Sequence, residues 1–270
     1  MARVRKRRRG KSGNSDWKWI AAIIACVGIS AGVGYFAFVQ AGKSAIDVAT
    51  LCHRTGPVKS VAVLLDLTDP LNTTQAARLR RQIDQMIDRA KTDTMVSIGV
   101  VSEDPANWGV RFSRCKPATG DDANILYENP GLIAATYESE FTQPLDQLLD
   151  RLMSGDVENR SPIMEALQAL VAEAPSFPMP SGESQILIVS DMLQHSDVLS
   201  FYRGEGWSHF TEPNEVSRLA QNLSGVDVQL MIIPRTGGNI PGRADVEDFW
   251  SRYLDVQGAN IPTLSQLGDL

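Results

Sequence analysis

Apolar positions along the chain recur in three rhythms. The first is unbroken: Trp19 to Val39 is a run of 21 residues without a charge. At ~1.5 Å rise per residue such a helix is about 31 Å long, which matches the hydrocarbon core of a bilayer. The second is a set of short runs rich in Val, Leu and Ile, each followed by a polar turn: Val61–Leu65, Thr94–Val101, Ile186–Val189 and Val226–Ile233. Runs of this length predict strands buried on both faces. The third is helical spacing. Leu79, Ile83, Met86, Ile87 and Ala90 form one stripe, and Leu145, Leu148, Leu149 and Leu152 a second. Further stripes are Ile163, Leu167, Leu170 and Val171; Val216, Leu219, Ala220 and Leu223; and Val246, Phe249, Trp250, Tyr253 and Leu254. Each predicts an amphipathic helix.

Punctuation sharpens the boundaries. Asn72, with Gln75 three positions on, reads as a capping pair that starts the first of these helices. After Glu103–Gly109, the run Val110–Cys115 returns as an antiparallel edge strand. Cys115–Tyr137 reads as loop with a short element near Leu132. Thr142 and Ser161 each start a helix, the latter with Pro162 in its first turn. Ala174–Glu183, Asp191–Pro213 and Pro234–Gly242 are connections. Strands alternating with helices predict an α/β fold: three layers, doubly wound and Rossmann-like, the sheet mostly parallel with one antiparallel edge strand, preceded by one transmembrane helix. The expected organisation is a basic arm at 1–18, the span at 19–39, a juxtamembrane linker at 40–57 and one domain at 58–270.

Charge adds a direction. The 270-residue chain carries a net −6, yet residues 1–18 hold eight Lys or Arg against one Asp, so the remainder carries −13. An acidic body argues against nucleic acid as a partner. The basic arm lies before the span, and only Lys43 and Arg54 lie soon after it, so the positive-inside rule keeps the N-terminus in the cytoplasm. The expected location is a cell (inner) membrane, single-pass, with the C-terminal domain periplasmic or extracellular. Trp17 and Trp19, and Tyr35 and Phe36, suit the two interfaces. A cleaved secretory signal is the competing reading; the length of the apolar run and the lack of an A-x-A site favour an anchor.

The candidate chemistry lies where the first buried strand ends, at Asp66, Thr68 and Asp69. The carboxyl ends of central parallel strands are where open α/β sheets bind ligands. Two later segments converge there: Ser161, before a helix, and Asp191, after the strand Ile186–Ser190. The ordered set Asp66-x-Thr68, Ser161 and Asp191 resembles the von Willebrand factor A (vWA) family. In that family, the resemblance implies, an Asp-x-Ser-x-Ser strand end, a Thr from a middle loop and an Asp after the fourth strand hold a metal ion used in adhesion. Carried over, Asp66, Thr68, Ser161 and Asp191 are candidate ligands of Mg²⁺ or another divalent cation, which takes oxygen donors in near-octahedral geometry. Pro70 stands where the family has its second serine, so Asp69, Asn72 or Thr73 would have to replace that ligand. The plainer alternative makes the two hydroxyls turn and capping groups and the acids helix caps.

No phosphate-binding Gly loop, HExxH helix or GxSxG elbow is present, and His53, His195 and His209 lack cysteines at zinc spacing. The chain is therefore read as a non-enzyme: a membrane protein displaying a protein-interaction domain. A metal-free structural subunit of a membrane complex is the alternative, and a metal-assisted hydrolase ranks third. The partner surface is placed at the carboxyl edge of the sheet, on Asp69 and on Phe201, Tyr202, Trp207 and Phe210 of the long loop, because aromatic residues anchor interfaces. An antiparallel edge strand ends at the same side of the sheet as the approach to the first strand, so Cys115 and Cys52 should form a disulfide in an oxidising compartment. Cys26, inside the span, should stay free.

Overall fold

A computed structural model describes residues 16–43, 46–124, 126, 128–155, 157–180, 182–212, 218–235, 242–260 and 262–267. The chain divides into two compact units, Met1–Ile46 and Asp47–Leu270. In the first, helix α1 (Asp16–Lys43) contains the stretch Trp17–Val39, long and apolar enough to cross a membrane. Its apolar side chains, Ile20, Val27 and Phe36 among them, are exposed, a surface suited to lipid and not to water.

The second unit is a six-stranded sheet in the order β3-β2-β1-β4-β5-β6. The strands are β1 (Lys59–Asp66), β2 (Thr94–Val101), β3 (Val110–Cys115), β4 (Ser184–Ser190), β5 (Asp227–Ile232) and β6 (Thr263–Gln266). Only β3 runs antiparallel, against β2; all the other pairings are parallel. Successive strand side chains point to opposite faces, and the two faces carry separate cores. Ala62, Leu64, Ile186, Ile188 and Leu230 pack beneath α5 (Ile163–Glu173) and α7 (Arg243–Val256). Val63, Leu65, Leu187, Val189 and Met231 pack beneath α2 (Thr73–Arg89) and α4 (Gln143–Met153). Burial on both faces is why Val61–Leu65 of β1 reads as an unbroken apolar run, and it leaves the polar residues only at the strand's two ends.

Local chemistry fixes the helices. At α2 the Asn72 side chain accepts from the Gln75 amide at 2.8 Å and the Gln75 side chain accepts from the Asn72 amide at 3.1 Å, the expected capping box. At its other end the buried Lys116 ammonium donates to the carbonyls of Ile87, Asp88 and Ala90 at 2.9, 3.1 and 2.8 Å. All three ammonium hydrogens thus meet carbonyls of the helix's last turn, where intrahelical donors run out. Gly99 and Gly109 are both required where β2 and β3 lose register. A Cβ on Gly99 would lie 2.8 Å from the Gly109 carbonyl, and one on Gly109, at φ +81°, would strike the Glu173 carboxylate.

Cys52 and Cys115, 63 positions apart in sequence, are joined as a disulfide. The Cys115 amide also donates to the Thr50 carbonyl at 2.7 Å, so residues 47–57, read as linker, pack with the sheet. Closing a loop of this length stabilises the fold by about 4 kcal/mol on the chain-entropy account.

Four expectations are corrected. The helix read from Thr142 begins at Pro130, as α3 (Pro130–Tyr137) capped by the Asn129 side chain, and passes through one π turn (Glu138–Thr142) into α4. That turn carries Phe141 into the core against Phe112 and Tyr137, and an extra residue in a helix re-aims a side chain in just this way. The helix read over 216–223 is not continuous: 218–219 are helical, Ala220–Leu223 are not, and Val216 lies outside the described residues. There Gln257 intervenes, its side chain accepting from the Gln221 amide and its carbonyl from the Leu223 amide. Strand β6 went unforeseen because its exposed Thr-Leu-Ser-Gln has no apolar run. Helix α5 starts at Ile163, with Pro162 rather than Ser161 at the cap position.

Candidate functional site

Five loops meet at the carboxyl edge of the sheet, and Asp66, the last residue of β1, is their hub. Its carboxylate is 3% exposed. Oδ1 accepts from the Thr68 hydroxyl at 2.7 Å and from the Thr68 amide at 3.3 Å; Oδ2 accepts from the Ser161 hydroxyl at 2.7 Å and the Ser190 hydroxyl at 2.6 Å. One buried carboxylate therefore ties together the end of β1, the entry to α5 and the end of β4. Charge-assisted bonds of this length are the stronger class.

The segment before α5 is pinned from both sides. The Glu158 amide donates to the Thr68 carbonyl at 2.8 Å, and its carboxylate accepts from the Ser102 hydroxyl at 3.1 Å and from the Glu103 amide. Ser161 then pairs with His195 through two backbone bonds, of 3.1 and 2.8 Å. With the Ser161 hydroxyl committed to Asp66, the first turn of α5 is capped from elsewhere. The buried Gln194 side chain accepts from the Met164 amide at 3.0 Å and donates to Glu165 at 2.8 Å. Sequence reasoning gave the cap to Ser161; a cap supplied from 30 residues away has no local signal.

Asp191, one residue beyond β4, is the second buried acid. Its Oδ1 accepts from the Leu193 amide at 2.9 Å, and its Oδ2 meets the Arg235 Nε at 3.0 Å. Burial first, and then the negative charge of Asp66, push its pKa up to about 6 against the pull of the Leu193 amide and Arg235. Arg235 sits in the loop after β5 and spans two acids, since its Nη2 lies 2.8 Å from the half-exposed Asp69. Met192, next to Asp191, holds φ +66° with its side chain buried. A left-handed residue other than glycine costs on the order of 1–3 kcal/mol, and such strain collects at functional sites.

No family model matches the chain, and no curated protein matches it. Among solved structures the chain is similar to a von Willebrand factor type A protein from Catenulispora acidiphila, at 12% identity and a TM-score of 0.40. The match covers 79% of this chain and 39% of that one, so the chain spans well under half the length of that structure. The mostly parallel sheet, its single antiparallel edge strand and the helices on both faces are those the sequence led us to expect.

All four candidate ligands, Asp66, Thr68, Ser161 and Asp191, reach this edge, together with Asp69. As they stand they do not fit a divalent cation. Both oxygens of Asp66 already accept two hydrogen bonds each. Both oxygens of Asp191 are engaged as well, one by a guanidinium, and Pro70 has no oxygen in its side chain to add. A cation of this class needs several oxygens with lone pairs directed at one point. Among the described residues, no group of three or more His, Cys, Asp or Glu is placed to hold a metal.

A cavity of about 410 Å³ opens on this edge, lined by Thr68, Asp69, Asn159, Asp191, His195 and Tyr202. His195 is held in that lining. Its Nδ1 is 2.8 Å from the Ser200 hydroxyl, and its ring meets the edge of Tyr202 at 5.2 Å. Burial and the nearby Arg203 and Arg160 lower its pKa.

The long loop corrects the expected partner anchors. Phe201 and Phe210 are buried, each against Phe249 of α7, and Phe210 also against Tyr253. Trp207, at the start of α6 (Trp207–Phe210), is partly buried, against Phe210 and Phe249, with Arg252 over its ring. These rings close the domain's own core, as large aromatics do where a helix lies within reach. Only Tyr202, 48% exposed, remains at the rim. Sequence reasoning missed Ser190, Glu158 and Arg235 as members of the site. Ser190 was visible as the last residue of a strand; the other two lie in loops, and nothing local marks them.

Proposed function

We propose that the chain is a single-pass membrane protein whose disulfide-closed α/β domain lies outside the cytoplasm and binds a protein partner at the carboxyl edge of its sheet. The reading is carried by one combination: a helix long and apolar enough to span a bilayer precedes a domain with a buried-core disulfide. Disulfides persist in oxidising compartments, and the basic arm before the helix favours a cytoplasmic N-terminus. A vWA-like arrangement of sheet and loops supports protein recognition as the task.

We read the edge as a pre-ordered binding surface. The hydroxyls of Thr68, Ser161 and Ser190 donate into a buried carboxylate, and the His195 ring nitrogen Nδ1 pairs with Ser200. The rim offers Tyr202 beside Asp69 and Asn159, an aromatic anchor among polar groups. Co-purification from detergent-solubilised membranes tests this. Tyr202→Ala and Asp69→Ala should each deplete the bound partner while leaving the thermal midpoint of the domain nearly unchanged. Retention of the partner by both variants would move its surface elsewhere.

A further inference from the structure

We infer that the guanidinium of Arg235 is the resident cation of this site, and that it balances Asp69 and Asp191 in place of a divalent metal ion. The side chain enters from the loop after β5 and sets Nε 3.0 Å from Asp191 and Nη2 2.8 Å from Asp69. A guanidinium is charged at every physiological pH, and its planar fork can serve two carboxylates at once. Arg235 is 27% exposed and the Asp191 side chain 8%, so the pair is shielded from the solvent screening that weakens surface ion pairs.

The same oxygens cannot serve both cations. Mg²⁺ demands ligand oxygens at about 2.0–2.1 Å in octahedral array, whereas Arg235 holds an Asp191 oxygen and an Asp69 oxygen by its own N–H groups. A metal ion entering here would have to displace the arginine from both acids. The chain also lacks the oxygen that would help it do so, because Pro70 occupies the turn between Asp69 and α2. Arg235 and Pro70 thus act in the same direction, one supplying the positive charge and the other withholding a ligand. The inference stands apart from the identity of any partner. It implies that contacts at this edge persist when divalent cations are removed, and that deleting the arginine would uncover a metal site made of Asp69, Asp191, Thr68 and Ser161.

Mn²⁺ binding to the full chain in detergent, read by electron paramagnetic resonance against an Asp191→Asn background, tests the inference without reference to a partner. The wild type should bind no more Mn²⁺ than that background. Arg235→Met should bind roughly 10-fold tighter or more, since it frees two carboxylates from a competing charge. Arg235→Lys, which keeps the charge, should behave like the wild type. Should Arg235→Met fail to fold without added metal, its folding should be restored by Mn²⁺. Wild-type binding that Asp191→Asn abolishes would overturn the inference. So would an Arg235→Met protein, folded or unfolded, that ignores Mn²⁺, or an Arg235→Lys protein that binds as Arg235→Met does.

Discussion

Replacing Asp66 with Ala should destabilise the domain by about 4 kcal/mol. Counting charges alone would give the opposite sign, because removing one of several clustered acids relieves repulsion. The hydrogen bonds decide the matter. Three hydroxyls donate to this carboxylate at 2.6–2.7 Å, and bonds to a charged group contribute about 1.5–3 kcal/mol each. Their loss together is worth roughly 6 kcal/mol, because two of the donors are left in a dry interior. Against this, removing the charge of Asp66 relieves Asp191, whose pKa it raises. Burial is the larger cause of that shift, so the relief offsets only part of the lost bonds and the net cost stays at about 4 kcal/mol. Asp66→Asn keeps one carbonyl acceptor for Thr68 and should cost less, about 2 kcal/mol. Urea unfolding of the full chain in detergent, followed by near-ultraviolet circular dichroism of the buried Trp250, measures both variants. A domain holds only ~5–15 kcal/mol in all, so the Ala variant should unfold at a clearly lower urea concentration. An Asp66→Ala protein within about 1 kcal/mol of the wild type would refute the hub.

Lys116→Met should cost about 2–3 kcal/mol, because three carbonyls at the end of α2 lose their donor; the same urea assay reads it, and an unchanged midpoint would show that the carbonyls find water instead. Phe210→Ala should cost about 3–4 kcal/mol by opening a cavity against Phe249 and Tyr253, whereas Tyr202→Ala should change stability by less than about 1 kcal/mol; equal effects would mean that the long loop is not divided as described. Asp191 has a folded pKa of about 6 against an ordinary 3.8, so the folded state holds more protons between those values and stability should fall as pH rises from about 4 to about 6, by up to ~3 kcal/mol. Asp191→Asn should remove that slope, and parallel pH profiles for the two proteins would place the titration elsewhere.

What was legible in the chain followed the range of each interaction. Strands β2 and β3 were readable to the residue because polar or glycine residues, Asp93, Ser102, Gly109 and Lys116, bound them, and the Asn72–Gln75 box because its members lie three positions apart. The disulfide followed from the direction of β3, a topological argument needing no side-chain detail. The hub did not: Ser161 and Ser190 reach Asp66 across 95 and 124 residues, and Arg235 reaches Asp191 across 44. Spacing carries no trace of such pairs. The aromatic loop misled because composition alone cannot tell a ring that anchors a partner from one that covers Phe249.

Single cysteines placed on a chain whose Cys26 has been replaced by Ala test the central claim most directly. Asn159→Cys lies on the exposed rim of the carboxyl edge and Lys91→Cys on the opposite edge. A membrane-impermeant thiol crosslinker is applied to cells whose cytoplasmic membrane is intact. The account predicts that both positions are modified and that only Asn159→Cys gives a discrete adduct with a second protein. Modification that begins only after the membrane is breached, or equal adducts from both edges, would contradict it.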